Sequence, residues 1–187
     1  MAGTASITAS RRAILLAVVC AFAAQGPAHA QASAMEYTVK AAYLYKFAPF
    51  VEWPPTAFAS AASPFQLCVL GRDPFGASLD QAVSGQRVGG RPVAVRRLER
   101  VDAGSGCHLL YLGASRNQTA DEALRAVRGS PILTVADGGR EVGAIIRFVV
   151  RDNRVRFEID TGAAAANHVT ISSKLLALAT SFRTGAS

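Results

Sequence analysis

Ser115 lies in Gly113-Ala114-Ser115-Arg116-Asn117, which begins like the sharp strand-to-helix turn that exposes a nucleophilic serine. The closing glycine of that turn is replaced by Asn117, whose side chain would crowd the strained backbone, so the segment reads as an ordinary strand-to-helix loop. His108 and His168 each stand alone, without a second histidine or a carboxylate at metal-ligand spacing, and read as structural or surface residues. Glu52, beside Trp53, has the right group for a general acid but lacks the partner carboxylate that such chemistry needs. Gly138-Gly139-Arg140-Glu141-Val142-Gly143 is rich in glycine, yet it sits between two strand-like segments and opens no helix that could offer amides to phosphate. It reads as a turn. The chain therefore shows no catalytic set, no metal set and no cofactor motif.

Cysteine and arginine remain as the residues with something to do. Of 187 residues, 50% are hydrophobic and 18% charged, with a formal charge of +7, which fits one globular domain and excludes wholesale disorder or a disulfide-dense miniprotein. Arg11 and Arg12 precede an apolar run from Ala13 to Ala24, then Gln25-Gly26-Pro27 and Ala28-His29-Ala30. That is the order of a secretory signal, and it predicts residues 1–30 as a cleaved signal peptide and 31–187 as the mature domain. The run of about twelve residues falls short of the roughly 20 that cross a bilayer. Ala17 stands where a lipoprotein signal wants leucine three residues before Cys20, and the Arg pair fits a Sec signal better than a twin-arginine one.

Removing residues 1–30 takes away Arg11, Arg12, Cys20 and His29, so the charge falls from +7 to +5 and two cysteines remain, Cys68 and Cys107. An even pair in an exported domain reads as one disulfide, the alternative being two separate buried thiols. The arginines form two groups: Arg87, Arg91, Arg96, Arg97 and Arg100, and then Arg147, Arg151, Arg154 and Arg156. An exported protein rarely meets nucleic acid, so a solvated face or an acidic partner explains them better than phosphate backbone binding.

Hydrophobic periodicity places these residues on elements. Met35–Val51 reads as an amphipathic helix, with Val39, Tyr43, Phe47 and Phe50 on one stripe and Leu44, Ala48 and Val51 beside it, ending near Pro49 and stopped by Trp53-Pro54-Pro55. Its rings, Tyr37, Tyr43, Tyr45, Phe47, Phe50 and Trp53, exceed what one buried stripe needs, and Tyr and Trp favour contact surfaces. Apolar strands are expected at Phe65–Leu70, Cys107–Gly113 and Pro131–Ala136 and an alternating strand region at Arg87–Leu98, where Val93 and Val95 alternate with Arg96 after the Gly89-Gly90 turn, with helices at Phe75–Val83 and at Thr119–Val127, where Thr119 and Glu122 form a capping box. Ala144–Arg151 and Arg154–Asp160 read as a hairpin turned at Asp152-Asn153, with Val155, Phe157 and Ile159 on one face and Arg154, Arg156, Glu158 and Asp160 on the other. Ile171, Leu175, Leu178 and Phe182 then recur at helical spacing. The predicted fold is a single α/β domain: a mostly parallel sheet flanked by helices, with a C-terminal β-hairpin and a C-terminal amphipathic helix.

Five blocks carry a resemblance. Val39-Lys40-Ala41-Ala42-Tyr43-Leu44-Tyr45-Lys46-Phe47-Ala48 running into Phe50-Val51-Glu52-Trp53-Pro54, Cys68-Val69-Leu70-Gly71, Cys107 opening an apolar strand, Arg156-Phe157-Glu158-Ile159, and Ile171-Ser172-Ser173-Lys174-Leu175-Leu176-Ala177-Leu178-Ala179 resemble, in order, the YfiR family of exported bacterial proteins over about residues 36–180. Pro49 and Asp160 depart from its usual pattern. The resemblance implies a periplasmic, non-enzymatic regulator, often a homodimer. Such a protein represses a membrane-bound diguanylate cyclase, and so cyclic-di-GMP signalling and biofilm, by binding the cyclase's periplasmic domain; an outer-membrane lipoprotein sequesters it. The family disulfide falls on Cys68 and Cys107, where it would tie the first buried strand to the third and fix the sheet against the opening helix. Glu52, Trp53, Arg154, Arg156 and Glu158 are the expected partner-binding residues. The alternative function is a periplasmic small-ligand sensor module of a transporter or histidine kinase, prompted by the aromatic surplus near Trp53. An exported hydrolase would rest on Ser115 alone.

Overall fold

A computed structural model describes residues 26–138 and 143–184; most of the expected signal peptide, and Gly139–Val142 of the glycine-rich turn, lie outside the described residues. The first helix, α1, spans Gly26–Phe47, and a single 3₁₀ turn at Ala48–Phe50 places Pro49 where no helical N–H is required. Strand β1 (Val51–Glu52) follows, then a loop, β2 (Phe65–Leu70), α2 (Ala77–Val83), β3 (Arg87–Val88), β4 (Arg91–Leu98) and β5 (Leu109–Leu112). The capping box starts α3 (Ala120–Ala126) as predicted: Thr119 Oγ1 accepts from the Glu122 N–H at 3.2 Å and the Glu122 carboxylate accepts from the Thr119 N–H at 2.8 Å. The chain ends through β6 (Leu133–Asp137), β7 (Ile146–Arg151), β8 (Arg154–Asp160), α4 (Thr161–Ala166), β9 (Thr170–Ile171), α5 (Ser173–Leu178) and β10 (Ser181–Arg183).

The main sheet has the order β10-β8-β7-β6-β5-β2-β4-β3. Pairings from β7 through β4 are parallel, as is β10 with β8, whereas β7–β8 and β3–β4 are antiparallel. The apolar runs arise because both faces of the central strands are covered. Phe65, Leu67 and Val69 join Leu109, Tyr111, Leu133 and Val135 in the core beneath α1 and α2, while Cys68, Leu70, Leu110, Leu112 and Ala136 face Ala123 and Val127 on the side of α3. Asp152 and Asn153 turn the hairpin with φ of 50° and 55°, the left-handed pair that a two-residue turn between twisted strands requires.

Several expectations are corrected. Val39 is exposed and Lys40 takes its place at the buried stripe, together with Ala41, Leu44, Phe47 and Ala48. The C-terminal helix stops at Leu178, and Phe182 belongs instead to β10, which the parallel pairing to β8 holds at the sheet edge. The second sheet, β1 with β9, and helix α4 carry no periodic signal because each is too short to show one. Cys68 and Cys107 form a disulfide between β2 and the entry to β5, with Cα atoms 5.8 Å apart. Both sulfurs lie in the core on the α3 side, so the bridge joins two strands but does not brace the sheet against α1.

Lys40 is 1% exposed, and its ammonium is held by Glu36 one turn earlier and by Asp137 at the end of β6. Burial alone would lower its pKa, but the hydrogen bonds to Asp137 and Glu36 outweigh that cost and hold it above the ordinary lysine value. Lys40→Met strands two carboxylates and is expected to cost about 3 kcal/mol in urea unfolding, near the low end for breaking a buried pair because Glu36 keeps part of its surface in water. The double variant Cys68→Ala/Cys107→Ala releases a loop of sequence separation 39 and should lose about 4 kcal/mol by the same measurement.

Candidate partner-binding surface

The two arginine groups part company in the structure. Those of the β3–β4 region are spent on the fold: Arg87 bonds the Gly90 carbonyl, Arg96 the Ser105 carbonyl, Arg97 the carboxylates of Asp73 and Asp80, and Arg100 the Asn117 carbonyl. Arg91 donates to the carbonyls of Ser60, Ala61 and Ser63 at 2.6, 3.0 and 2.8 Å and lies 4.0 Å over the Phe58 ring, pinning the loop before β2.

The hairpin group is different. Register places Arg147 opposite Glu158, Val149 opposite Arg156 and Arg151 opposite Arg154 on one face, with Ile146–Ile159, Phe148–Phe157 and Val150–Val155 on the other. The second face is packed: Phe47 of α1 meets Phe157 at 5.0 Å and Phe148 at 5.8 Å between ring centroids, and Tyr43 lies about as close to both. On the first face Arg147, Val149 and Glu158 are partly buried, whereas Arg151, Arg154 and Arg156 are exposed. Four arginines thus share one sheet face with Glu158, which accepts from Arg147 and, at 3.0 Å, from Arg151. The hydrogen bond from Arg147 is the main reason that its carboxyl titrates below the ordinary glutamate range. Asp160 is occupied elsewhere, capping α4 through the Ala163 N–H and pairing with Arg183 at 3.1 Å. Arg154 and Arg156 are exposed and have no hydrogen bond or ion pair among the described residues. Arg151 and Arg154 face each other directly, an arrangement of like charges that costs stability in the isolated chain.

Glu52 and Trp53 lie elsewhere. Glu52 is exposed on β1, opposite Thr170, and no hydrogen bond, ion pair or ring contact joins either residue to the hairpin among the described residues. Trp53 is half-buried with its ring edge on Phe65, 5.2 Å between centroids, and its buried Nε1 has no partner among the described residues. Phe65 stacks in turn on His108, and His108 on Phe58 at 4.3 Å. The aromatic surplus of α1 and its exit is therefore largely core packing.

His108 was legible as structural, and the structure supplies the reason. Nδ1 accepts from the Gln66 N–H at 2.9 Å, so Nε2, 3.0 Å from the Ala57 carbonyl, carries the proton and donates. Ser115 Oγ donates to the Glu99 carbonyl at 2.9 Å and accepts from the Asn117 N–H, serving the loop. Among the described residues no group of three His, Cys, Asp or Glu side chains could hold a metal, and no helix is long and apolar enough to cross a membrane.

Residues 37–180 match the YfiR/HmsC-like family. The chain belongs to that family. The matched span runs from Tyr37 of α1 to Thr180 and takes in every strand of the main sheet except β10, and so both faces of the hairpin.

Burial lowers the His108 pKa, opposed by the hydrogen bond to Ala57 and reinforced by the nearby Arg91. The unfolded chain therefore binds the proton first. Stability is expected to be full above about pH 6.5 and to fall as pH drops below that toward the folded-state pKa, then to level off. Urea midpoints measured from pH 8 to pH 4 should show this component in the native chain and its loss in His108→Gln.

Proposed function

We propose that this chain is an exported, periplasmic regulator of cyclic-di-GMP signalling, regulatory rather than catalytic, which represses a membrane-bound diguanylate cyclase by binding its periplasmic domain. Family membership supports the regulatory reading, and the resemblance noted above supplies the cyclase. The observation that carries the surface is the charged hairpin face: Arg154 and Arg156, exposed and without an ion pair among the described residues, with Arg154 set opposite Arg151, are poised for an acidic partner whose carboxylates would offset that repulsion. Arg154, Arg156 and Glu158 form the centre of that contact, and Glu52 a second, separate point. In this reading residues 1–30 are the cleaved signal, so that α1 of the mature protein starts within its present span, at Gln31. An outer-membrane lipoprotein that sequesters the regulator and a homodimeric state complete the reading.

Deleting the gene should raise cyclic-di-GMP and biofilm, and native protein should restore both. Arg154→Glu/Arg156→Glu should keep or slightly raise its thermal midpoint, because a carboxylate at position 154 would face Arg151, while losing at least tenfold in affinity for the cyclase's periplasmic domain and failing to complement. Equal affinity of this variant would remove the hairpin from the contact, and unchanged cyclic-di-GMP on deletion would refute repression of a cyclase.

A further inference from the structure

The strand order reverses between β2 and β5. From β2 the chain crosses to β4 on one side and then returns to lay β5, β6 and β7 on the other. In open α/β sheets the crevice at the carboxyl ends of the strands beside such a reversal is where small molecules bind. Here a cavity of about 380 Å³ opens at that place, lined by Arg72 and Pro74 after β2, Tyr111 near the end of β5, Gly113–Ser115 after it, Asp137 ending β6 and Tyr37 from α1. It is at the small end of the volumes that ligand pockets occupy.

Its walls are fixed. The two exit loops are joined by the Arg72 N–H donating to the Ala114 carbonyl at 2.8 Å. They approach so closely that a Cβ at Gly113 would stand 2.3 Å from the Leu70 carbonyl oxygen and 2.6 Å from that of Arg72. On the β6 side, Asp137 receives Lys40 on Oδ1 and the Tyr111 phenol on Oδ2 at 3.4 Å, and Tyr37 also hydrogen-bonds to it. Burial and the adjacent carboxylate raise both phenols, so they stay protonated and point their protons at Asp137.

That arrangement has a definite chemistry. With the phenol protons spent, this side offers a ligand only oxygen lone pairs, and one ammonium, Lys40, faces two carboxylates, Glu36 and Asp137, which leaves one negative charge unbalanced. The β2 side carries the opposite sign. Arg72 is exposed and its guanidinium has no hydrogen bond or ion pair among the described residues. Since β5 lies between β2 and β6, the backbones of the two sides are about 10 Å apart, two strand spacings, and the side chains of Arg72, Tyr111 and Asp137 that line the cavity narrow that gap.

We infer that this cavity binds a small zwitterion, its ammonium on the oxygens of Tyr37, Tyr111 and Asp137 and its acidic group on Arg72. An α-amino acid and phosphoethanolamine share that chemistry. The inference does not depend on the hairpin contact and involves none of its residues.

Calorimetric titration and thermal shift of the purified protein with L-serine, phosphoethanolamine, ethanolamine, acetate and inorganic phosphate test it. One of the two zwitterions should bind and raise the midpoint, with the matching half-molecules at least tenfold weaker; which one binds more tightly tells carboxylate from phosphate. Arg72→Ala, a change at an exposed side chain, should weaken the zwitterion at least tenfold and leave ethanolamine unchanged, and amide shifts of the native protein should centre on Tyr111 and Gly113. No binding by either zwitterion at millimolar concentration, inorganic phosphate or acetate binding as tightly as the whole molecule, or an Arg72→Ala variant that binds normally would each overturn it.

Discussion

A lysine ammonium buried between a helix and the end of a strand organises much of this molecule. Lys40 is surrounded by Glu36, Asp137 and the faces of Tyr37 and Phe148, at 4.8 and 5.9 Å from the ring centroids. An ion taken out of water costs several kcal/mol unless it is paired and hydrogen-bonded; Glu36 travels with Lys40 on the same helix, so it is Asp137 of β6 that constrains the register of α1 along the sheet. That register also sets Tyr43 and Phe47 over Phe148 and Phe157, which clamps one face of the hairpin, and it leaves Asp137 with its phenol partners at the mouth of the switch-point cavity. The same ion thus bears on both places where the chain could meet another molecule.

The contrast between the two arginine groups turns on what the backbone offers them. Around β4 the loops before β2 and after β4 and β5 present carbonyls that have no strand to pair with, and Arg91, Arg96 and Arg100 satisfy them. Along β7 and β8 the carbonyls are already in the ladder, so the side chains there find only one another and Glu158. A hairpin with one face locked by aromatic packing and exposed arginines at the open end of the other is a rigid platform, and rigidity limits the entropy lost when a partner docks.

The disulfide and His108 stabilise the same neighbourhood by different means. Cys107 and His108 are consecutive, one joined to β2 through sulfur and the other through the Gln66 amide, so the entry to β5 is fixed to β2 on both sides of the sheet. His108 also reaches the Ala57 carbonyl, and with Arg91 it holds the long connection between β1 and β2 against the aromatic stack. The expected tie between the disulfide and α1 fails for a simple reason of strand geometry: alternate residues face opposite sides, and Cys68 is one step out of phase with Leu67 and Val69, which meet the α1 side.

The sequence by itself determined the alternation of strand and helix, the parallel centre, the capping box at Thr119, the Asp152-Asn153 hairpin and the division of the hairpin into an apolar and a charged face. Each of these is written in short-range periodicity or in the conformational demands of one or two residues. It also placed Cys68 and Cys107 among the few residues worth watching, and the family resemblance joined them. Only the tertiary structure decided that Lys40 rather than Val39 lies inward, that five arginines near β4 are spent on carbonyls and carboxylates while Arg154 and Arg156 stay free, and that Arg72, Tyr37, Tyr111 and Asp137 converge. Those four are separated by up to a hundred residues of chain. No local pattern can record their meeting, because it is set by strand order and by the helix register that a buried charge requires.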